Sequence, residues 1–232
     1  MAASMLLPVT AHTLQSAGLI RCSMSNFPIL KPVWVGFLLA SFVAFSLWYG
    51  GHGKPITPAE GAMLLERFDA IYPDRAESNH SFRSNIEDMI RRDDGNEFYA
   101  VNLEQLKPGD AAKAADAAYT RMVVPLLLKR AGHPVFVSER AGLMLGDYGA
   151  SVDRVAVVRY RSLRDMIEMP LQPAMQSGEQ NKFAALEHTE VFITRPTVTF
   201  MHVRVFLAII LVLIGWIGLK LINFVAARKA VP

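Results

Sequence analysis

Three residues that could hold a small molecule lie near the ends of apolar, β-branched segments with the composition of strands: Asn102, Arg159 and Tyr160. A guanidinium can bind a carboxylate through two parallel hydrogen bonds, so Arg159 is a candidate for a carboxylated ligand. The alternative, which the residue type favours, is an ion pair with an acidic residue of the same domain. Tyr160 could act as an acid, although tyrosines such as Tyr99 and Tyr160 more often belong to a core or an interface.

Two histidines add candidates for a general base. His133 follows Gly132, which ends a predicted helix, and His188 lies on a predicted late helix. A lone histidine is more often packed or solvated than catalytic, so catalysis is the less favoured interpretation. HExxH, GxGxxG, P-loop and nucleophile-elbow patterns are absent from the sequence. The sequence predicts no metal site and no cofactor, and Asp93-Asp94 is interpreted as a turn.

The elements that must position these residues follow the order βαββαβ, which is typical of an α+β, ferredoxin-like domain. The central unit is Val155–Ser162, a buried strand after which Ser162 and Asp165 form a capping-box pattern. The predicted strands are Phe98–Leu103, Pro134–Met144, Asp153–Arg161 and Glu190–Thr194. The predicted helices are Asp110–Arg130 and Ser162–Met169; the second is interrupted by Pro170, Pro173 and Gly178 and resumes at Lys182–His188.

Charge is distributed unevenly along the 232 residues. All 21 acidic residues lie between Glu60 and Glu190, and 19 of the 24 lysines and arginines lie between Lys54 and Arg204, so the centre is slightly acidic and the ends are basic. Because the basic excess flanks apolar segments, we expect no nucleic-acid partner despite a pI near 9.1. The single cysteine, Cys22, excludes an intramolecular disulfide.

Two apolar segments predict membrane-spanning helices at 27–50 and 203–226, with the bilayer as partner. The first is uncharged over Pro32–Tyr49 and carries Trp34 at one end and Trp48 with Tyr49 at the other, as an aromatic belt requires. It lacks a small-x-small cleavage site, which favours an uncleaved anchor over a signal peptide. Because the first segment has no polar face, a buried core helix is not favoured. In the second segment Gly215 and Gly218 form a small-residue face for helix packing, but their spacing is not that of a GxxxG motif.

The remaining segments complete the predicted organisation: a disordered or spurious extension at 1–26, a helical linker region at 51–95, the domain at 96–200 and a short cytoplasmic tail at 227–232. Met24 is an alternative start. Thr57, Pro58 and Glu60 predict a capped helix in the linker region.

Four stretches of the central domain resemble the DUF1330 family: Phe98–Leu103, the helix from Tyr119 to Pro125, Val155–Ser162 and Lys182–Thr189. The resemblance covers about residues 96–195, and Arg161 stands where the family usually has proline. It implies a ferredoxin-like domain that pairs as a dimeric α/β barrel. It implies no common activity, although histidines bind haem in some dimeric barrels, a role open to His133 or His188.

The strand Val155–Val158 is apolar on both faces, which predicts a second covering layer. A homodimer through the open sheet face would supply it; the competing possibility is that helices Thr57–Tyr72 and Phe82–Arg91 cover that face. The favoured function is a non-catalytic, membrane-anchored binding or assembly module. The alternative is an enzyme acting on a small hydrophobic or carboxylated substrate in the barrel cleft.

Basic residues at the outer end of each anchor (Lys31, and Arg228 with Lys229) predict that both termini are cytoplasmic. In a Gram-negative cell the chain would be a two-pass inner-membrane protein with a periplasmic domain. A fluorescent protein fused after Pro232 should therefore fluoresce, and alkaline phosphatase at the same site should be inactive. Active phosphatase at that site would show that the orientation is the opposite of the predicted one.

Overall fold

The computed structural model of the chain describes residues 27–51, 53–72, 80–199 and 202–229. The predicted extension at 1–26, with Met24 and Cys22, lies outside the described residues. The described elements are α1 Phe27–Gly50, α2 Pro58–Ile71, α3 His80–Arg91, β1 Phe98–Leu106, α4 Asp110–Lys129, β2 His133–Glu139, a short 3₁₀ turn Tyr148–Ser151, β3 Arg154–Tyr160, α5 Leu163–Glu168, α6 Pro173–Ala185, β4 Leu186–Thr194 and α7 Val203–Lys229.

The four strands form one antiparallel sheet in the order β2-β3-β1-β4. The central strand β1 pairs with both neighbours, and its Ala100 lies opposite Val158 of β3 and Ile193 of β4. The predicted α+β class, with an antiparallel sheet and flanking helices, is confirmed.

The two faces of the sheet have different environments. Residues directly opposite each other on paired strands point to the same face, and neighbours along a strand point to opposite faces. Val158 and Tyr160 contact Leu127 and Met169 of the helical layer, so their face is the helix side. The other face, the open face, carries Val101, Leu103, Val155 and Val157, with the half-exposed Phe136 beside them on β2.

Helices α2 and α3 lie on the helix side and not over the open face. Phe68 and Ile90 share a buried cluster with Phe98 of β1 and Leu163 and Ile167 of α5. Phe98 lies opposite Tyr160 and so belongs to the helix side. Within the part of the chain that the structure describes, these helices therefore do not supply the second layer over Val155–Val158.

The predicted cap of α2 is confirmed as a complete capping box. The Thr57 hydroxyl accepts a hydrogen bond from the Glu60 backbone N–H at 3.3 Å, and the Thr57 backbone N–H donates to the Glu60 carboxylate at 2.9 Å. That backbone donation, together with one from the Arg164 guanidinium, lowers the pKa of Glu60 to about 2.

Two predicted boundaries are wrong. The second strand ends at Glu139 and not at Met144, and Met144 is fully exposed in the following loop. His188 lies on β4 and not on a helix, because α6 ends at Ala185 and Leu186 already pairs with β1. Helix α6 also continues through Gly178, where Met122 of α4 leaves no room for a side chain.

Helices α1 and α7 are long and apolar enough to cross a membrane by length and composition, over 22 residues at Ile29–Gly50 and 26 residues at Val203–Arg228. Almost none of their residues are buried, unlike those of a core helix. The two helices contact each other. Gly215 and Gly218 of α7 lie against Leu38 and Trp34 of α1, so the small-residue face is a helix–helix contact.

Candidate functional site

Arg159 is the most completely buried large side chain of the described residues, with 1% of its surface exposed. Its Nε donates to the Glu97 carboxylate at 2.9 Å, Nη1 donates to the backbone oxygen of Ala131 at 2.7 Å, and Nη2 donates to that of Tyr49 at 3.1 Å. The guanidinium also lies 3.7 Å from the centroid of the Tyr49 ring. The donors of Arg159 are thus engaged within the protein, as in the ion-pair alternative.

The contacts of Arg159 place the end of α1 against the sheet. The last carbonyls of a helix have no partner inside the helix, and cations near them are favourable. Here the Trp48 oxygen accepts from Arg161 at 3.0 Å and the Tyr49 oxygen accepts from Arg159. Arg161 is held in turn by the carboxylate of Asp165 at 2.7–2.8 Å, which raises the pKa of Arg161.

His133 binds the same tyrosine from β2. Its Nε2 lies 2.8 Å from the Tyr49 hydroxyl, and the two rings are stacked at 5.9 Å. Its Nδ1 lies 3.1 Å from the backbone oxygen of Pro134. A carbonyl only accepts, so we assign the proton to Nδ1 and the acceptor role at Nε2 to the bond from Tyr49. We call Tyr49, Glu97, His133, Arg159 and Arg161 the anchor junction.

A cavity of about 440 Å³ lies on the opposite side of the sheet, between its helix side and the helical layer. Its walls are mostly apolar. Asn102 and Tyr160 of the predicted binding residues line it, together with Tyr119 of α4. Arg159 and His133 do not, because Arg159 and Tyr160 are neighbours on one strand and therefore face opposite sides. Apolar lining residues include Phe68, Ala100, Val123, Leu127, Ala156, Val158 and Met175.

Two of the polar groups that line the cavity are phenols held in their neutral form. Burial raises the pKa of Tyr160 to about 12, and burial, followed by the neighbouring Tyr160 and Glu104, raises the pKa of Tyr119. No protein group within the described ranges hydrogen-bonds either phenol. Asn102 donates its amide to the backbone oxygen of Ala156 at 3.0 Å, which leaves its Oδ1 as an acceptor. Tyr119, Tyr160 and Asn102 thus offer two donors and one acceptor in a mostly apolar wall.

Four charged residues also line the cavity, Glu104, Arg154, Glu179 and Lys182, and carboxylates neutralise Arg154. Arg154 donates Nε to Glu104 at 2.6 Å and both Nη groups to Asp116 at 2.7 Å. The bonds to Asp116 are the largest reason that the pKa of Arg154 is raised. Sequence reasoning missed this network and Tyr119. The spacing of Asn102 and Glu104, two apart on one strand, was the available signal that they share a face.

His188 lies apart from both places. It faces Gln105 across the β4–β1 pair, on the wall of a groove of about 330 Å³ that also contacts Tyr148 and Glu190. Among the described residues, no three His, Cys, Asp or Glu side chains form a group that could hold a metal ion.

Comparisons with known proteins were made for the sequence and for the structure. No family model matches the sequence, and no curated protein matches it either. The resemblance to DUF1330 therefore stays a prediction.

Similar solved structures cover about half of the chain. The protein RPA0582 of Rhodopseudomonas palustris, of unknown function, is 20% identical, with a TM-score of 0.47 over 50% of this chain and 94% of its own. Rv0793 of Mycobacterium tuberculosis is 18% identical, with a TM-score of 0.35 over 45% of this chain and 99% of its own. The hydroxynitrile lyase of Passiflora edulis is 13% identical, with a TM-score of 0.35 over 46% of this chain and 98% of its own.

The raised pKa of Tyr160 should make the stability of the fold depend on pH. Its pKa is about 12 in the folded chain and near 10 when exposed, so the folded state holds the phenol proton more tightly. This contribution is complete below pH 10 and is lost as the pH rises from 10 to 12. Chemical denaturation across this range should show a smaller loss of unfolding free energy in Tyr160→Phe than in the wild type. Tyr148→Phe, at a residue 92% exposed, is the control and should follow the wild type. Identical curves for all three chains would contradict the burial of the Tyr160 hydroxyl.

Proposed function

We propose that the chain is a membrane-anchored binding module whose cavity takes a small, mostly apolar molecule with a hydrogen-bond acceptor, such as a carbonyl oxygen. The observation that carries this proposal is the pair of neutral phenols, Tyr119 and Tyr160, which line a mostly apolar cavity and whose hydroxyls have no hydrogen-bond partner among the described residues. Buried polar groups are normally satisfied, and an acceptor on a ligand would satisfy these two. Asn102 Oδ1 would accept from a ligand hydroxyl or amide.

The size and charge of the cavity support the same ligand class. Its volume of about 440 Å³ lies within the range of small-molecule sites. Arg154 is already paired with Glu104 and Asp116, so an anionic ligand would gain little there. A neutral molecule therefore fits the cavity better than the carboxylated substrate of the enzyme alternative. That substrate was expected to bind Arg159, which does not line the cavity.

The enzyme alternative would use Tyr160 as its acid. A general acid works best when its pKa lies near the operating pH, and a pKa of about 12 is far from neutrality. Its raised pKa makes Tyr160 a hydrogen-bond donor in preference to a proton donor. This favours binding over catalysis.

We further propose that the domain is a ferredoxin-like βαββαβ unit of DUF1330 type that pairs as a dimeric barrel through the open face. Val101, Leu103, Val155 and Val157 support this, because a second copy would remove this apolar surface from water. The proposed placement is a two-pass inner-membrane protein with cytoplasmic termini and a periplasmic domain. The meeting of α1 and α7 at the junction, where Arg204 lies 5.6 Å from the Tyr49 ring, supports an antiparallel pair of anchors.

Filling the cavity should abolish ligand retention. Ala156 lines the cavity and Ala117 is exposed on α4, so Ala156→Trp and Ala117→Trp add the same volume at different places. Native mass spectrometry of the full chain should show a bound small molecule in the wild type and in Ala117→Trp, and none in Ala156→Trp. Tyr160→Phe should reduce retention about fivefold, since a hydrogen bond contributes about 1 kcal/mol. Equal retention in both tryptophan variants would reject the cavity as the site.

A charge on the open face should prevent self-association and leave the fold intact. Val157 lies on that face and Val158 on the helix side. We expect Val157→Asp to be a folded monomer in sedimentation equilibrium, whereas Val158→Asp should unfold the domain, because a buried carboxylate costs several kcal/mol. A wild-type monomer at tens of micromolar would reject the dimer.

A further inference from the structure

A groove of about 370 Å³ runs along the contact between the two apolar helices, separate from the cavity. Phe42 of α1 forms one side of it. The other side is formed by Val205, Ala208, Ile209, Val212 and Leu213, whose i, i+3, i+4, i+7 and i+8 spacing places them on one face of α7. Apart from one residue, the lining is wholly apolar.

That residue is Arg204, at the end of the groove nearest the sheet. Arg204 is exposed, its guanidinium lies 5.6 Å from the centroid of the Tyr49 ring, and it packs against Gly50. In the part of the chain that the structure describes, no carboxylate pairs with it and no acceptor receives its N–H groups. The other arginines of this region are paired, Arg159 with Glu97 and Arg161 with Asp165.

The dimensions of the groove match one leaflet of a bilayer. From Arg204 to Leu213 a helix rises about 14 Å, and half of the hydrocarbon core of a bilayer is about 15 Å thick. The charged end therefore falls at the depth of lipid headgroups when the apolar part lies among the acyl chains. Arginine binds phosphate groups through paired, charge-assisted hydrogen bonds.

We propose that this groove is a binding site for one anionic phospholipid, whose phosphate binds Arg204 and whose acyl chain lies between α1 and α7. The inference rests on the proposed membrane anchoring. The lipid would supply the anion that Arg204 lacks and would fill the groove beside Phe42. Because Arg204 packs against Tyr49, the bound lipid would also contact the anchor junction.

The test uses the full chain purified in detergent, with phosphatidylglycerol and phosphatidylcholine of identical acyl chains as probes in native mass spectrometry. We expect one phosphatidylglycerol to be retained per chain in preference to phosphatidylcholine. Arg204→Gln should reduce the retained fraction about tenfold. Arg228→Gln, the same charge change at the other end of α7, should not. Ala208→Trp should abolish retention by filling the groove, and the exposed Ala227→Trp should leave it unchanged.

Other outcomes would overturn the proposal. Equal losses in Arg204→Gln and Arg228→Gln would indicate non-specific lipid around the helices. Displacement of the lipid by inorganic phosphate would indicate a plain anion site. A chain dimer without lipid that Ala208→Trp dissociates would make the groove a contact between copies. Release of the chain from membranes by alkaline carbonate would instead reject the anchoring itself, and with it the proposed function.

Discussion

The burial of one cation, Arg159, is the constraint on which the rest of the structure depends. A buried charge is costly unless it is paired and fully hydrogen-bonded, and Arg159 meets this condition with partners from three separate parts of the chain. Glu97 precedes β1, Ala131 follows α4 and Tyr49 ends α1. Removing any one partner would leave part of a buried guanidinium unsatisfied. The end of the first apolar helix is therefore a component of the domain's own polar network and not only a tether.

This arrangement separates the polar chemistry of the sheet into two layers. The side chains of His133, Arg159 and Tyr99 lie in one row on the open face, where Tyr49 contacts Arg159 and His133. Asn102 and Tyr160 lie on the helix side, facing the cavity. The groups that attach the sheet to α1 are thus distinct from those available to a ligand, and a cavity ligand would not compete with this attachment. This separation is consistent with a binding module mounted on the membrane.

Local sequence signals predicted the elements well where neighbouring residues decide the structure. The Thr57–Glu60 box depends only on residues three apart, and the apolar run at Val155 favours a strand in any setting. His188 was misplaced because its helical surroundings are overridden by pairing with β1, a contact distant in sequence. Arg159 and Tyr160 were expected in one cleft, although the alternation of a strand sends them to opposite faces. Tyr49 was interpreted only as a membrane-interface aromatic, since no pattern in the sequence reveals that its ring and carbonyl meet Arg159.

Hydrogen–deuterium exchange on the full chain tests most directly whether the end of the anchor is part of the domain. Tyr49→Ala removes the ring over Arg159 and the hydroxyl that binds His133, whereas Trp48→Ala removes an exposed aromatic side chain one residue earlier. We expect faster amide exchange at the start of β2 and the end of β3 in Tyr49→Ala, and wild-type exchange at the same amides in Trp48→Ala. Unchanged protection in Tyr49→Ala would show that the domain folds independently of its anchor, and would contradict the account.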